Sequence, residues 1–245
     1  GSSKFGQNNK YAFFPSVGLG WMISNEDFLK DNSLISKLKL HTSYGVTGNS
    51  EIGTYKSLAT VSQSNTIIGD ALHVVSYLDN MPNPDLKWET TTQTNVGVDL
   101  GFLNGDLNLT LDYFNKDTKD LLWRRALPAS IGGTNMTVWD NVGKMNNKGF
   151  EMEINYQKQI NQDFGFSVAY NFSVIKNKMT ELNGVDYIGL SSSELHGRNF
   201  DQETSRSAVG QPIGSFFVYE ADGLFQSDAE IQNYKNDRGE LLQPN

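Results

Sequence analysis

The stretch FEMEINYQKQINQDFGFSVAYNFSV, residues 150–174, decides the fold, because it alternates apolar and polar residues on both sides of a short polar segment. Its first half places Phe150, Met152, Ile154 and Tyr156 at every second position, and its second half repeats the pattern from residue 164 onward. A period of two residues is that of a β-strand with one apolar face. The stretch therefore predicts two antiparallel strands joined by a tight turn.

The same period recurs elsewhere in the chain. Alternating runs cover residues 13–23, 36–46, 94–102 and 106–113, which brings the number of predicted long strands to six. Asn104-Gly105 separates the third run from the fourth, and this dipeptide is typical of a type I′ hairpin, in which both central residues need a positive φ. We therefore expect an antiparallel all-β protein.

The connections between the predicted strands alternate between short and long. Short turns join neighbouring strands in pairs, whereas long connections cover residues 47–87, residues 115–148 and the chain after about residue 176. In a meander this places the short turns at one end of the sheet and the long connections at the other. Outer-membrane barrels have this arrangement, with short periplasmic turns and long extracellular loops.

Composition excludes several classes of protein. The 245 residues include no run of roughly 18–20 apolar residues, which excludes a helical membrane protein. Cysteine is absent, so there is no disulfide framework and no thiolate nucleophile or metal site. The net charge of −8 argues against nucleic acid as a partner, because phosphate binding needs a basic surface.

Two architectures remain, a transmembrane β-barrel and a soluble β-sandwich such as a surface adhesin or carbohydrate-binding module. Runs of roughly 9–11 residues suit a tilted bilayer crossing, and the less apolar face is rich in Gly, Ser, Asn and Asp, as in a wet lumen. Aromatic residues near the strand ends suit a membrane girdle or a sandwich core: Trp21, Tyr44, Phe102, Tyr113 and Tyr156. The barrel is favoured. Six strands cannot close one, since the smallest known have eight, so the chain either oligomerises or is part of a larger barrel.

Several segments are similar to one family. These are GSSKFGQNNKYAFFPSVGLGWMISNEDFL (1–29), LKLHTSYGVTGNS (38–50), NPDLKWETTTQTNVGVDLGFLNGDLNLTLDYFNKDTKDLL (83–122), NVGKMNNKGFEMEINYQ (141–157) and VGQPIGSFFVYEADGLFQSDAEIQNY (209–234). Together, and in this order, they resemble the SusC/RagA-type TonB-dependent transporters of the Bacteroidetes. Gly1-Ser2-Ser3 is then native sequence. One departure is His41, where the family often has Arg.

The resemblance implies a segment of a 22-stranded outer-membrane barrel that imports a glycan or a peptide. Residues 1–175 would supply barrel strands with short periplasmic turns and long extracellular loops. Residues 176–245 would form mainly an extracellular loop region, and the plug domain and remaining strands would lie outside this chain. The implied partners are a SusD-like surface lipoprotein, TonB through the missing N-terminal region, the oligosaccharide or peptide substrate, and outer-membrane lipid.

Four residues in the connection 115–148 are candidates for contact with a substrate or partner. Trp123 and Trp139 could stack on a sugar face or on a partner protein, although packing of the loop onto the barrel rim is the simpler interpretation. Arg124 and Arg125, beside Trp123, could contact a partner or the anionic lipid surface.

Nothing in the sequence predicts catalysis, a cofactor or a bound metal. Glu151 and Glu153 lie on one strand face at roughly the 6–8 Å spacing of glycosidase carboxylates, but polar residues facing a lumen explain them more simply. His41, His73 and His196 lack the spacing of metal ligands. A carbohydrate-active enzyme is therefore the weakest interpretation.

Overall fold

A computed structural model describes residues 1–29, 32–127, 130, 136–191, 203–221, 223–236, 238–239 and 241. Antiparallel strands dominate it. The strands are β1 (Ser16–Met22), β2 (Ile35–Asn49), β3 (Thr60–Ile68), β4 (Ala71–Met81), β5 (Glu89–Phe102), β6 (Leu107–Lys119), β7 (Leu122–Ala126), β8 (Thr137–Asn141), β9 (Lys144–Gln159), β10 (Gly165–Glu181), β11 (Tyr187–Ser191), β12 (Glu203–Ala208) and β13 (Ser215–Phe216). One α-helix, α1 (Asp228–Asn233), and two 3₁₀ turns, Ile23–Asn25 and Leu103–Gly105, complete the described secondary structure.

Six long strands form the main sheet, in the order β1-β2-β5-β6-β9-β10. All neighbours are antiparallel. Each of the six predicted strands is present, which confirms the fold expected from the alternation. The observed strands extend further, however: β9 has 16 residues and β10 has 17, running to Glu181.

The two faces of the main sheet differ in chemistry. On one face, aligned by the strand register, apolar side chains stand exposed; we call this set the apolar belt. It comprises Val17, Leu19, Trp21, Leu40, Tyr44, Val96, Tyr113, Phe150, Phe166, Val168, Tyr170, Phe172 and Val174. Near the short turns, Tyr156 and Phe166 make an edge-to-face contact at 5.7 Å between ring centroids. Such a belt is the lipid-facing surface expected of a membrane strand.

The two hairpin turns at the end of the sheet follow from local sequence. Asn104 (φ 57°) and Gly105 (φ 92°) both have the positive φ that was predicted, and the Asp106 N–H donates to the Leu103 carbonyl at 3.2 Å. In the β9–β10 turn, the Asn161 side-chain oxygen accepts the backbone N–H groups of Asp163 and Phe164. Short polar segments thus reverse the chain at this end.

The long connections contain strands that the alternation did not predict. A second sheet has the order β3-β4-β8-β7, and β11, β12 and β13 form a third. In the β3–β4 hairpin, Ile68 pairs with Ala71 across Gly69-Asp70, and Gly69 has a φ of 62°. This glycine turn is a hairpin signal in the sequence, but the flanking residues do not alternate cleanly enough to predict the strands.

The buried core lies at the end of the main sheet that carries the long connections. Phe5, Ile52 and Leu86 form one cluster of it, from three segments far apart in the sequence. Trp88 packs between Phe5 and Phe14, with ring centroids 5.2 and 5.3 Å away. The connections are therefore tied down by apolar packing at the rim of the sheet.

Candidate functional site

The four predicted contact residues come together on one hairpin, formed by β7 and β8. Arg124 pairs directly with Trp139, and Trp123 pairs with Asp140. Because paired residues share a face and successive residues alternate, Trp139 and Arg124 point to one side, and Trp123 and Arg125 point to the other. The hairpin stands at the same end of the main sheet as the buried core.

Trp139 packs against the buried core. With Leu122, it covers the cluster of Phe5, Ile52 and Leu86, and its own side chain is half-buried. Its carbonyl also accepts a hydrogen bond from the Asn83 side chain at 2.9 Å. These contacts support the packing interpretation for Trp139, since the indole joins the hairpin to the rest of the rim.

Trp123 and the two arginines are more available to a partner. Trp123 is half-buried, on the face that also carries the buried Val138, and Arg124 and Arg125 are exposed. The Arg125 guanidinium lies 3.4 Å from the Asp140 carboxylate, and the Arg124 Nε donates to the Thr137 hydroxyl at 3.1 Å. Both cations are thus oriented by contacts inside the hairpin, leaving Trp123 beside a positioned guanidinium.

Asn141, which no sequence pattern marks, fixes the hairpin to neighbouring segments. Its side-chain amide donates to the carbonyls of Lys87 and Asp120, both at 2.9 Å, and its oxygen accepts the Lys87 N–H at 2.9 Å. The Glu89 carboxylate, on β5, accepts a hydrogen bond from the backbone N–H of Leu122, on β7. Asparagine has the donors and the acceptor for this role, but only the tertiary structure shows which groups it meets.

The face of the main sheet opposite the apolar belt is polar and charged. The Asp99 carboxylate lies 3.5 Å from the Lys37 ammonium and 3.8 Å from that of Lys39. The His41 Nε2 lies 2.8 Å from an Asp112 carboxylate oxygen. This network crosses three adjacent strands, and it is the surface expected of a water-filled lumen.

The residues considered for catalysis or metal binding are spread over this surface and beyond it. Glu151 stands opposite Asp112 and Glu153 opposite Thr110, on the polar face. His73 lies on β4 opposite Thr66, in a different sheet from His41, and His196 lies outside the described residues. Within the described ranges, no three His, Cys, Asp or Glu residues are grouped so as to hold a metal ion.

The β3–β4 hairpin presents a second candidate surface. The register places one row of apolar residues on a single face, and all are exposed: Val61, Ile67, Leu72, Val74 and Leu78. An exposed apolar row of this kind marks an interaction surface.

The structure and sequence match known proteins along almost the whole chain. The family described as "TonB dependent receptor-like, beta-barrel" matches residues 1–219. TonB-dependent receptor P3 of Formosa agariphila is 40% identical over 226 residues, covering 92% of this chain and 22% of that protein. TonB-dependent receptor SusC of Bacteroides thetaiotaomicron is 35% identical over 231 residues, covering 90% of this chain and 22% of that protein. The RagAB peptide importer in its closed-closed state superposes with a TM-score of 0.73 at 32% identity, over 87% of this chain and 22% of that one.

This chain therefore belongs to the TonB-dependent receptor family, in the β-barrel part of the fold. The resemblance to SusC/RagA-type transporters is confirmed, and with it the location in the outer membrane. The chain spans about a fifth of the length of the relatives it matches, 22% of each of those compared above. The six-stranded sheet is not closed into a barrel. In the described part of the chain, no helix is long and apolar enough to cross a bilayer.

Proposed function

We propose that the protein containing this chain imports a glycan or peptide nutrient across the outer membrane, driven by TonB. The observation that carries the proposal is the main sheet, with an exposed apolar belt on one face and a charged network on the other. Two relatives support the import chemistry: one is named SusC, and the other is a peptide importer.

In this proposal the chain contributes barrel wall and extracellular surface. Residues 1–175 supply spanning strands whose short turns face the periplasm, and residues 176–245 lie mainly on the extracellular side. The plug and the segment that engages TonB belong to the parts of the relatives that this chain does not match. The polar face lines the route of the substrate, and the chain takes part in no catalysis.

The extracellular end would meet a SusD-like surface lipoprotein that closes over the bound substrate. Trp123 and Arg125 are our candidates for this contact, together with Arg124 at the edge of the same hairpin. Trp139 acts indirectly, by holding the hairpin against the core. An aromatic ring beside a guanidinium suits either a sugar face or a protein partner.

The first test is fractionation of cells that make the native protein. We expect a species several times larger than 27.3 kDa in the detergent-extracted outer membrane, and we expect a lipoprotein to co-purify with it. Deleting the gene should abolish uptake of one compound in a panel of fluorescent oligosaccharides and peptides. A soluble species of 27.3 kDa would overturn the proposal and favour a soluble adhesin or carbohydrate-binding module.

A double variant tests the contact residues. Trp123→Ala with Arg125→Ala should reduce lipoprotein co-purification or uptake while leaving the amount of protein in the membrane unchanged. The matched control is Ser64→Ala, an exposed polar position on β3 whose side chain lies on the face opposite the apolar row of that hairpin. Wild-type behaviour of the double variant in both assays would remove these residues from the contact.

A further inference from the structure

Three lysines on β9 and β10 lie immediately beyond the apolar belt, at the end of the sheet with the long connections. Phe150 and Val174 end the belt on these two strands. Two residues further along, on the same face, Lys148 and Lys176 stand directly opposite each other. Lys178 follows Lys176 on that face. We call these three residues the lysine cluster.

The lysine cluster places three positive charges beside a single carboxylate, that of Asp117. All three side chains are exposed, and like charges placed directly opposite one another destabilise a sheet. The ion pairs recorded among the described residues involve other lysines, with none from this cluster. The cluster shares a concave surface with Asp117, whose carboxylate accepts hydrogen bonds from Asn115 and Asn146 at 2.9 and 2.8 Å.

Lysines at the opposite end of the sheet are arranged differently. Lys158 points to the same face as the belt, opposite Phe166 and near the short turns, and its ammonium lies 2.5 Å from the Asp106 carboxylate. Lys37 and Lys39 lie on the polar face, within 4 Å of Asp99. On β9 and β10, the described lysines that share the face of the belt and lack a carboxylate partner therefore all lie at the end with the long connections.

We infer that the lysine cluster binds the phosphate groups of phosphorylated glycolipid headgroups in the outer leaflet. The cluster sits at the depth where a lipid headgroup meets the upper edge of the apolar belt, and lysine stems can lie along apolar surface while the ammonium groups reach polar groups. Anionic headgroups attract clustered basic residues at a membrane surface. The concave wall formed with Gly210 and Pro212 gives the headgroup a defined place to rest. This inference rests on the proposed orientation of the barrel.

The test uses the full-length protein in phosphatidylcholine nanodiscs that contain a small fraction of diphosphorylated lipid A. The triple variant Lys148→Gln, Lys176→Gln, Lys178→Gln is compared with the wild type by native mass spectrometry of retained lipid A. A loss of roughly tenfold or more in retention is expected, since each lysine near an anionic surface contributes about fivefold in affinity. Lys158→Gln, on the same face but at the opposite rim, is the matched control and should retain lipid A like the wild type.

Two further arms identify the bound group. Dephosphorylated lipid A should be retained weakly and equally by the wild type and the triple variant. Excess inorganic phosphate should lower retention of diphosphorylated lipid A by the wild type only in part, because it competes for the ammonium groups but leaves the acyl chains on the belt. Equal retention of diphosphorylated lipid A by both proteins, or an equal loss with the dephosphorylated form, would overturn the inference.

Failure of the inference can be separated from failure of the proposed function. Asp70→Cys, at the tip of the β3–β4 hairpin and outside the lysine cluster, should react with a membrane-impermeant maleimide on intact cells if the end with the long connections is extracellular. If the thiol is labelled but the triple variant retains lipid A like the wild type, the inference that the lysine cluster binds lipid is overturned and the proposed function is not. Absence of labelling until the outer membrane is permeabilised would overturn the proposed orientation, and with it the inference.

Discussion

At the residue scale, Gly149 shows how closely the main sheet is packed on its polar face. A Cβ at this position would lie 2.7 Å from the Phe114 ring and 2.7 Å from the Val174 carbonyl oxygen. The ring is buried, and the carbonyl belongs to a strand backbone, so neither can move freely.

We therefore expect Gly149→Ala to lower the free energy of unfolding by about 1–3 kcal/mol, as other overpacked sites do. Urea unfolding of the full-length protein in detergent would measure the change. Gly18→Ala is the control, because its Cβ would meet nothing nearer than 3.8 Å. Equal unfolding midpoints for the two variants would contradict the role of Gly149.

Asn141 makes a second prediction at this scale. Asn141→Ala removes three hydrogen bonds that join β8 to Lys87 and Asp120. Each is worth about 1 kcal/mol, so backbone amides of residues 122–126 should exchange with deuterium several-fold faster. Asn65→Ala on exposed β3 should leave that exchange unchanged. If the amides of residues 122–126 exchange as slowly in the Asn141 variant as in the wild type, apolar packing alone holds the β7–β8 hairpin in place.

At the element scale, the sequence predicted the six spanning strands because each has an apolar belt on one side and polar residues on the other. It did not predict where those strands end. The first residues of β9, Lys144–Lys148, have no alternation, and they are extended because β6 and β10 pair with them on both sides. A strand that extends beyond the belt keeps its backbone hydrogen bonds to the neighbouring strands. It no longer has an apolar residue at every second position, so the sequence pattern does not predict it.

The candidate site was predicted in part. Aromatic and basic residues marked the β7–β8 hairpin, which is where the structure places all four. The packing of Trp139 against the cluster of Phe5, Ile52 and Leu86 joins residues on opposite halves of the chain, and no local pattern encodes such packing. The sequence did not predict the apolar row on β3–β4, because the two faces of this hairpin differ too little in polarity to give a clear alternation.

The two hairpins on the long connections should differ in their effect on stability. Replacing residues 61–78 with a short Gly/Ser turn should leave the unfolding midpoint unchanged, because the apolar row of β3–β4 is exposed. Replacing β7 should lower the midpoint, because Leu122 packs on the buried core. The same detergent unfolding assay compares both. A large loss of stability on shortening β3–β4 would show that its apolar row is covered in the full-length protein.

At the scale of the whole molecule, the orientation of the sheet is testable with introduced thiols, since residues 1–245 contain no cysteine and labelling can be compared with that of the unsubstituted full-length protein. Asp70→Cys places a thiol at the tip of the β3–β4 hairpin, and Gln162→Cys places one in the β9–β10 turn. On intact cells a membrane-impermeant maleimide should label the first and not the second. After permeabilisation of the outer membrane both should react. The reverse pattern would invert the proposed orientation.

The pairing of short turns with long connections also constrains how such a barrel is assembled. Hairpins closed by tight turns, such as β5–β6 and β9–β10, form quickly because their partners are close in sequence. In the proposed orientation, however, each inserting hairpin must carry its long connection across the hydrocarbon layer. Unpaired peptide groups cost several kcal/mol each in hydrocarbon, so a connection as long as residues 50–88 cannot cross unaided. The fold therefore depends on a cellular insertion machinery that opens a path for the loops while the strands pair.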